Sequence, residues 1–145
     1  MINGRVEEIL LEKADENLQA AKMLSEDRCY NTALNCLYHS VYLKIYRRLI
    51  HIGKDTVGNK FGKHAAALEY LRDESSKRDP DAGRVLGLFS RLKSGRVKAN
   101  YFGVHIEERE YKRAYESYVI NKVPLERFLA NMPEQVERDD HGCEV

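Results

Sequence analysis

The sequence has no tryptophan, no long apolar run and no surplus of charge of one sign, and each absence limits what the protein can do. The 145 residues contain 24 Lys and Arg against 23 Asp and Glu. Tight non-specific binding of nucleic acid over the whole surface is therefore not expected, although a local basic stripe is compatible with this balance. No apolar segment approaches the roughly 20 residues that span a bilayer, so no membrane association is expected.

Cysteine is scarce, with only Cys29, Cys36 and Cys143. An odd number of cysteines, in a sequence without a signal peptide, argues against a disulfide framework and predicts a cytoplasmic protein. Structural zinc sites need four ligands at motif spacing, and no second cysteine pair accompanies Cys29 and Cys36. We therefore expect no metal and no cofactor, and we interpret the thiols as buried and inert.

Apolar residues repeat at helical spacing through most of the chain, whereas strand-like alternation never exceeds four residues. The sequence therefore predicts an all-α protein, an up-and-down bundle of five helices with a short third helix. Residues 1–131 are expected to form this domain, and the acidic segment 132–145 to form a flexible tail. The predicted helices cover residues 5–26, 29–52, 63–73, 80–101 and 106–130.

Three residues mark predicted helix boundaries or irregularities. Gly53 is a C-terminal signal for the second helix. Asp79, which stands directly before a proline, is a predicted N-cap of the fourth helix. Pro124 lies inside the last helix and predicts a kink or a break there.

The second helix carries two neighbouring stripes of residues. The apolar stripe, which we expect to face the core, consists of Tyr30, Leu34, Leu37, Val41 and Ile45. The polar and aromatic stripe beside it consists of Asn31, Asn35, Tyr38, Tyr42 and Tyr46. One interpretation is that these tyrosines cover the edge of the core with wet hydroxyl groups. The other makes Tyr38, Tyr42, Asn35 and Tyr46 an interface with a second copy of the chain. On the same helical wheel His39 lies almost opposite the core stripe.

Arg96 occupies an apolar seam of the fourth helix, at the position between Leu92 and Ala99. A buried charge without a partner costs several kcal/mol, so some acceptor must meet this guanidinium. Three other cations of the helix, Arg84, Arg91 and Lys98, follow at seven-residue steps. That stripe is either a solvated face or a set of phosphate contacts.

Three segments follow one another along the chain: "YNTALNCLYHSVY", a histidine that opens the third helix, and "RVKANY" before an acidic helix start. This order resembles the HEPN domain, a small helical bundle, in its uncharacterised stand-alone prokaryotic branch. Arg96, Ala99 and Tyr101 match the Arg-x-x-Ala-Asp-Tyr signature, and His64 matches the family's histidine. Asn100 stands where the family has aspartate, and His39 replaces one of two paired tyrosines.

The resemblance also raises the question whether Arg96 and His105 cleave RNA. Many HEPN proteins are metal-independent endoribonucleases, often toxins, with an arginine followed after four to six residues by a histidine. Here eight residues separate Arg96 from His105, and six separate Lys98 from His105. We expect His105 to cap the last helix with Glu108 as the partner in a capping box, and Arg96 to be an anchor in the bundle or at a dimer seam. His64 is either a neutral, hydrogen-bonded histidine or a phosphate contact.

Three functions follow as hypotheses. The first is a non-enzymatic homodimeric module that binds a partner protein, which the resemblance suggests is of the nucleotidyltransferase type found with toxin-antitoxin pairs. The second is nucleotide or RNA binding, through Arg96, Tyr101, His64, Lys98 and Arg91. The third is an endoribonuclease that uses Arg96, His105 and Lys98.

Overall fold

A computed structural model describes residues 4–53 and 62–131 and contains an all-α bundle of five helices in this part of the chain. The helices are α1 (Gly4–Glu26), α2 (Tyr30–His51), α3 (Lys63–Ser76), α4 (Pro80–Tyr101) and α5 (Glu108–Ala130). The predicted all-α class, the five helices and the short third helix are confirmed, although α3 continues three residues beyond its predicted end. The predicted tail and most of the predicted α2–α3 loop lie outside the described residues.

Helix α2 is the centre of the bundle, because it packs against each of the other four helices. Its predicted apolar stripe is confirmed: Leu34, Leu37, Val41 and Ile45 are buried, and Tyr30 is half-buried. Helix α4 also packs against α3 and α5, whereas α1 packs against α2. As a result, one flank of α2 meets both α3 and α4, and this flank carries the polar and aromatic stripe.

The helix boundaries follow the local signals in the sequence. The Asp79 carboxylate accepts hydrogen bonds from the backbone N–H groups of Asp81 and Ala82, at 2.9 and 3.3 Å, which confirms the predicted cap. Gly53 follows α2 with φ +73°, the left-handed conformation that glycine adopts without strain. Arg28 and Arg78 take the same role after α1 and α3, with φ of 61° and 63°.

Helix α5 departs from its prediction at its start. Its N-cap is Glu107, whose side chain accepts from the backbone of Glu110, while the Glu110 carboxylate accepts from the Glu107 N–H at 3.1 Å. The expectation that His105 caps this helix with Glu108 was wrong. Carboxylates accept backbone hydrogen bonds and favour the positive end of the helix dipole, whereas histidine is a poor cap.

Pro124 lies inside α5 without interrupting it, so the predicted break does not occur, and the kink stays a prediction. Proline cannot bond to the carbonyl four residues earlier, which here belongs to Ile120. Ile120 is 62% exposed, so water can reach that part of the helix.

Gly95 permits a close approach of α4 to α2. A Cβ atom at this position would lie 2.7 Å from Cδ2 of Leu34, which is buried. Glycine weakens a helix interior, but here it removes a steric clash between two helices. The close approach brings the next residue, Arg96, against α2.

Candidate functional site

The flank of α2 that meets α3 and α4 carries a group of residues that we call the Arg96 cluster: Tyr38, His39 and Tyr42 from α2, His64 from α3 and Arg96 from α4. The Tyr38 hydroxyl and Nδ1 of His64 form a hydrogen bond of 2.6 Å. The Tyr42 and His64 rings stack, with centroids 3.9 Å apart and planes 14° apart. The ring of His39 meets that of His64 edge-on, at 6.1 Å.

Arg96 lies over this aromatic group, with its guanidinium carbon 5.3 Å from the centroid of the Tyr38 ring. The Nε atom of Arg96 is buried and has no hydrogen-bond partner among the described residues. No hydrogen bond within this part of the chain involves the terminal guanidinium nitrogens either, and Arg96 as a whole is half-buried, so part of the residue is accessible to solvent. Within residues 4–53 and 62–131, no carboxylate forms an ion pair with Arg96.

Burial and neighbouring positive charge keep the histidines of the cluster neutral. Burial, followed by the charges of Arg96, His39 and Lys93, lowers the pKa of His64 to about 4. Burial and Arg96 also lower the pKa of His39. Burial raises the pKa of Tyr38, so its hydroxyl stays protonated. A neutral imidazole whose Nδ1 accepts the hydrogen bond from the Tyr38 hydroxyl carries its own hydrogen on Nε2.

These properties favour binding of an anion over proton transfer. A general acid or base works best with a pKa near the working pH, and the pKa of His64 lies well below neutrality. The Arg96 guanidinium, by contrast, is a cation whose donors have no acceptor among the described residues. An incoming anion would supply the acceptor that the described residues do not provide.

The structure records no contact between Arg96 and His105. His105 is exposed in the connection between α4 and α5, and the next N–H group, of Ile106, donates to Oδ1 of Asn31 at 2.9 Å. Asn31 is in the first turn of α2, whereas Arg96 lies over Tyr38, seven residues further along. Seven residues of helix rise by about 10 Å.

The other residues predicted to bind nucleic acid are dispersed. Lys98 forms a short ion pair with Glu110, so its charge is already partnered. Arg91 is exposed on α4, five residues before Arg96 and therefore about 140° away around the helix. Tyr101 ends α4 and is 72% exposed. Of the predicted set, only His64 lies in a cluster with Arg96.

The four residues of the predicted dimer interface occupy different environments. Tyr38 and Tyr42 are in the core, with 0% and 6% exposure. Asn35 and Asn100 exchange two side-chain hydrogen bonds, at 2.8 and 3.0 Å, and these occupy the amide that stands where the HEPN signature has aspartate. Tyr46 is half-buried and stacks on Tyr42 at 5.7 Å. The interface itself stays a prediction, but in this chain the hydroxyl of Tyr38 is satisfied by His64 rather than by water.

Sequence reasoning did not assign a place in the site to three residues that shape it. His39 was expected opposite the core, but packing of α3 onto α2 makes it half-buried beside His64. Lys93 precedes Arg96 by three residues and so shares its helical face, a spacing that could have identified it. Asn31 donates to the Ala99 carbonyl at 3.0 Å and accepts from Ile106, so it joins the end of α4 to the start of α5.

Other predicted sites can be located in part. Cys36 is half-buried, but Cys29 is exposed, so the interpretation of both as buried thiols was wrong for Cys29. Cys143 lies outside the described residues. No three metal-ligating side chains come together in the described part of the chain. None of the described helices combines the length and the apolarity needed to cross a bilayer.

Comparison with known proteins does not identify a family for this chain. A scan of the chain against protein-family models finds no match, and a search of curated proteins finds no significantly similar sequence. The resemblance to HEPN domains therefore stays a prediction that rests on the quoted segments.

Proposed function

We propose that this chain is a HEPN-type binding module, an up-and-down bundle with a last helix kinked at Pro124, which holds a nucleotide or RNA phosphate at Arg96 without cleaving it. The observation that carries the proposal is the guanidinium of half-buried Arg96, whose buried Nε and terminal nitrogens have no hydrogen-bond partner among the described residues. Because a planar guanidinium matches two phosphate oxygens at once, a phosphate is the anion that this group suits best.

The surroundings of Arg96 support a phosphate that is attached to a nucleoside. His39 and His64 place half-buried aromatic rings near Arg96, and half-buried Tyr46 extends this aromatic group by stacking on Tyr42. Rings of this kind stack on bases of any sequence. Lys93 adds a second positive charge, which reaches His64. Binding would then combine stacking with phosphate contacts that weaken as the salt concentration rises.

A titration with labelled single-stranded RNA of about 12 nucleotides tests this proposal, with AMP as a second probe. Arg96→Ala should weaken RNA binding by about tenfold or more, and Arg96→Lys should weaken it less, because lysine keeps the charge but lacks the fork. Arg109→Ala removes an exposed arginine from the start of α5 and should leave affinity within about twofold of the wild type. Equal binding by wild type and Arg96→Ala, with the fold checked by circular dichroism, would contradict the proposal.

A second candidate function is binding of another protein chain, and exposed apolar residues at the connection between α4 and α5 favour it. Tyr101, Phe102 and Val104 are consecutive or nearly consecutive and are 72%, 61% and 51% exposed. Exposed apolar side chains that are grouped together mark interaction surfaces. In this second proposal they form a homodimer seam, or they contact the nucleotidyltransferase-type partner that the HEPN resemblance implies.

Light scattering of the purified protein distinguishes these two partners. A homodimer has twice the mass of the 16.8 kDa chain, and Phe102→Ser should shift it to the monomer. If the wild type is monomeric at every concentration, the homodimer is excluded. Recovery of a nucleotidyltransferase-type protein by wild type but not by Phe102→Ser would then support the partner protein, and recovery of none would remove this candidate.

Catalysis by Arg96, His105 and Lys98 remains the enzymatic alternative, and three features weigh against it. Lys98 is paired with Glu110, His105 has no contact with Arg96, and the histidine that does lie beside Arg96 has a pKa far below neutrality. Incubation of the protein with total RNA, without metal, tests the alternative directly. Cleavage by wild type that His105→Ala abolishes would replace the binding proposal with an endoribonuclease.

A further inference from the structure

A recess lies between the C-terminal half of α1 and the N-terminal half of α5, and it has a volume of about 590 Å³. Both helices pack against α2, but their backbones do not approach each other closely, which leaves a space between them. The side chain of Tyr111 lies at the bottom of this recess, and its hydroxyl donates to the Ala21 carbonyl of α1 at 3.4 Å. The recess has the size of a small-molecule site and no residue in common with the Arg96 cluster.

The floor of this recess is aromatic. Tyr30 and Tyr111 have ring centroids 5.9 Å apart, and Tyr111 and Tyr115 have centroids 6.2 Å apart, so three tyrosines form a continuous row. Tyr30 and Tyr115 are half-buried, which leaves part of each ring accessible from the recess. Because the face of an aromatic ring is electron-rich, such a row attracts cationic groups and the methylene groups next to them.

The two walls carry carboxylates without partners. Glu26 on α1 and Glu116 on α5 both line the recess and are exposed, and neither belongs to an ion pair of the described residues. Glu108 is paired with Lys112, so that part of the rim is neutral. Lys22 is the other ammonium group of the lining. The residues that line the recess therefore carry three carboxylates against two ammonium groups.

We propose that this recess binds a linear aliphatic polyamine. Glu26 and Glu116 each hold one ammonium group from opposite walls, and the tyrosine row between them accommodates the methylene chain and the central cation. The ligand chemistry follows from the lining: an aromatic floor with unpartnered carboxylates on both sides complements a flexible molecule with positive charges at both ends. Anions, which suit Arg96, are disfavoured here because the net charge is negative.

Calorimetric titration of the RNA-free full chain with spermidine at low salt tests the proposal. Glu26→Gln and Glu116→Gln keep the shape of each wall and should each weaken binding by about fivefold to tenfold. Tyr115→Leu should weaken it by about threefold, since it removes one ring face but keeps an apolar side chain. Putrescine should bind more weakly than spermidine, and 1,8-octanediol, which has similar length and no charge, should not bind.

Two controls make the result decisive. Glu16→Gln removes an exposed carboxylate of α1 outside the recess and should leave affinity unchanged. Arg96→Ala should bind spermidine like the wild type, so failure of the phosphate proposal and failure of this one remain distinguishable. Absence of spermidine binding, equal loss in Glu16→Gln and Glu116→Gln, or binding of the uncharged diol would each overturn the polyamine site.

Discussion

The hydroxyl of Tyr38 lies 2.6 Å from Nδ1 of His64, and this hydrogen bond joins the central helix to α3 beneath the Arg96 guanidinium. Tyr38 is fully buried and His64 is half-buried. The bond therefore has two consequences. It fixes the Tyr38 ring beneath Arg96, and it makes the free energy of unfolding depend on His64 remaining neutral.

The stability of the protein should fall as the pH drops from about 6.5 to about 4. The pKa of His64 is about 4 in the folded protein and about 6.5 when unfolded, so in this window the unfolded chain binds more protons. Full expression of this shift would correspond to about 3 kcal/mol, and solvent screening of the half-buried ring reduces the expected loss to about 1–2 kcal/mol. His39 acts in the same direction.

Urea denaturation at a series of pH values measures this loss. His64→Asn places an amide oxygen near the position of Nδ1 without a titrating group, and it should flatten the decline between pH 6.5 and 4. His105→Asn, at an exposed position without recorded contacts, should follow the wild-type curve. A wild-type decline that His64→Asn leaves unchanged would show that another group causes it.

Two glycines of α4 should respond to alanine in opposite ways. Gly95→Ala places a methyl group 2.7 Å from the nearest Leu34 carbon, and we expect it to lower the free energy of unfolding by about 1–3 kcal/mol. Gly87→Ala meets no atom within 4 Å, and it should raise the same quantity by up to about 1 kcal/mol through helix propensity. Chemical denaturation of both variants gives the comparison, and changes of the same sign would refute the close helix approach.

Replacement of Arg28 by glycine should stabilise the protein. Arg28 follows α1 with φ 61°, and the neighbouring N–H of Cys29 bonds to the Leu24 carbonyl at 2.8 Å in the arrangement that usually has glycine. We expect Arg28→Gly to raise the free energy of unfolding by about 0.5–1 kcal/mol, because a Cβ atom is strained in the left-handed region. Arg28→Ala, which keeps the Cβ atom, should give no gain, and thermal unfolding of the two variants separates backbone strain from charge.

Loss of the Asn31 side chain should loosen the connection between α4 and α5. Asn31→Ala leaves the Ala99 carbonyl and the Ile106 N–H without their partner, and we expect a loss of about 1–3 kcal/mol. Amide hydrogen exchange should quicken in residues 99–107 more than in α1. Asn17→Ala removes a bond to a carbonyl of its own helix and should change stability by less than about 0.5 kcal/mol. Similar exchange in both variants would exclude a bridging role for Asn31.

The predictability of the fold and of the site differs with the range of the interactions involved. The cap at Asp79 and the stop at Gly53 depend on residues within one helical turn, and both were predicted. The cap of α5 was predicted at the wrong residue, since Glu107, Glu108 and Glu110 lie close together at its start and all have carboxylates that can accept hydrogen bonds. The contact between Arg96 and Tyr38 joins two helices, and no spacing within either helix specifies the rotation that brings them together.

Five helices and the apolar face of α2 follow from the sequence, because side chains repeat along a helix every 3.6 residues and helix ends depend on their nearest neighbours. The sequence also places the charge of Arg96 against apolar residues. Which groups meet that charge depends on how the helices pack on one another. Packing of α3 and α4 on one flank of α2 brings His39 and His64 near Arg96, while Asn31 fixes the segment after His105 at the far end of that flank.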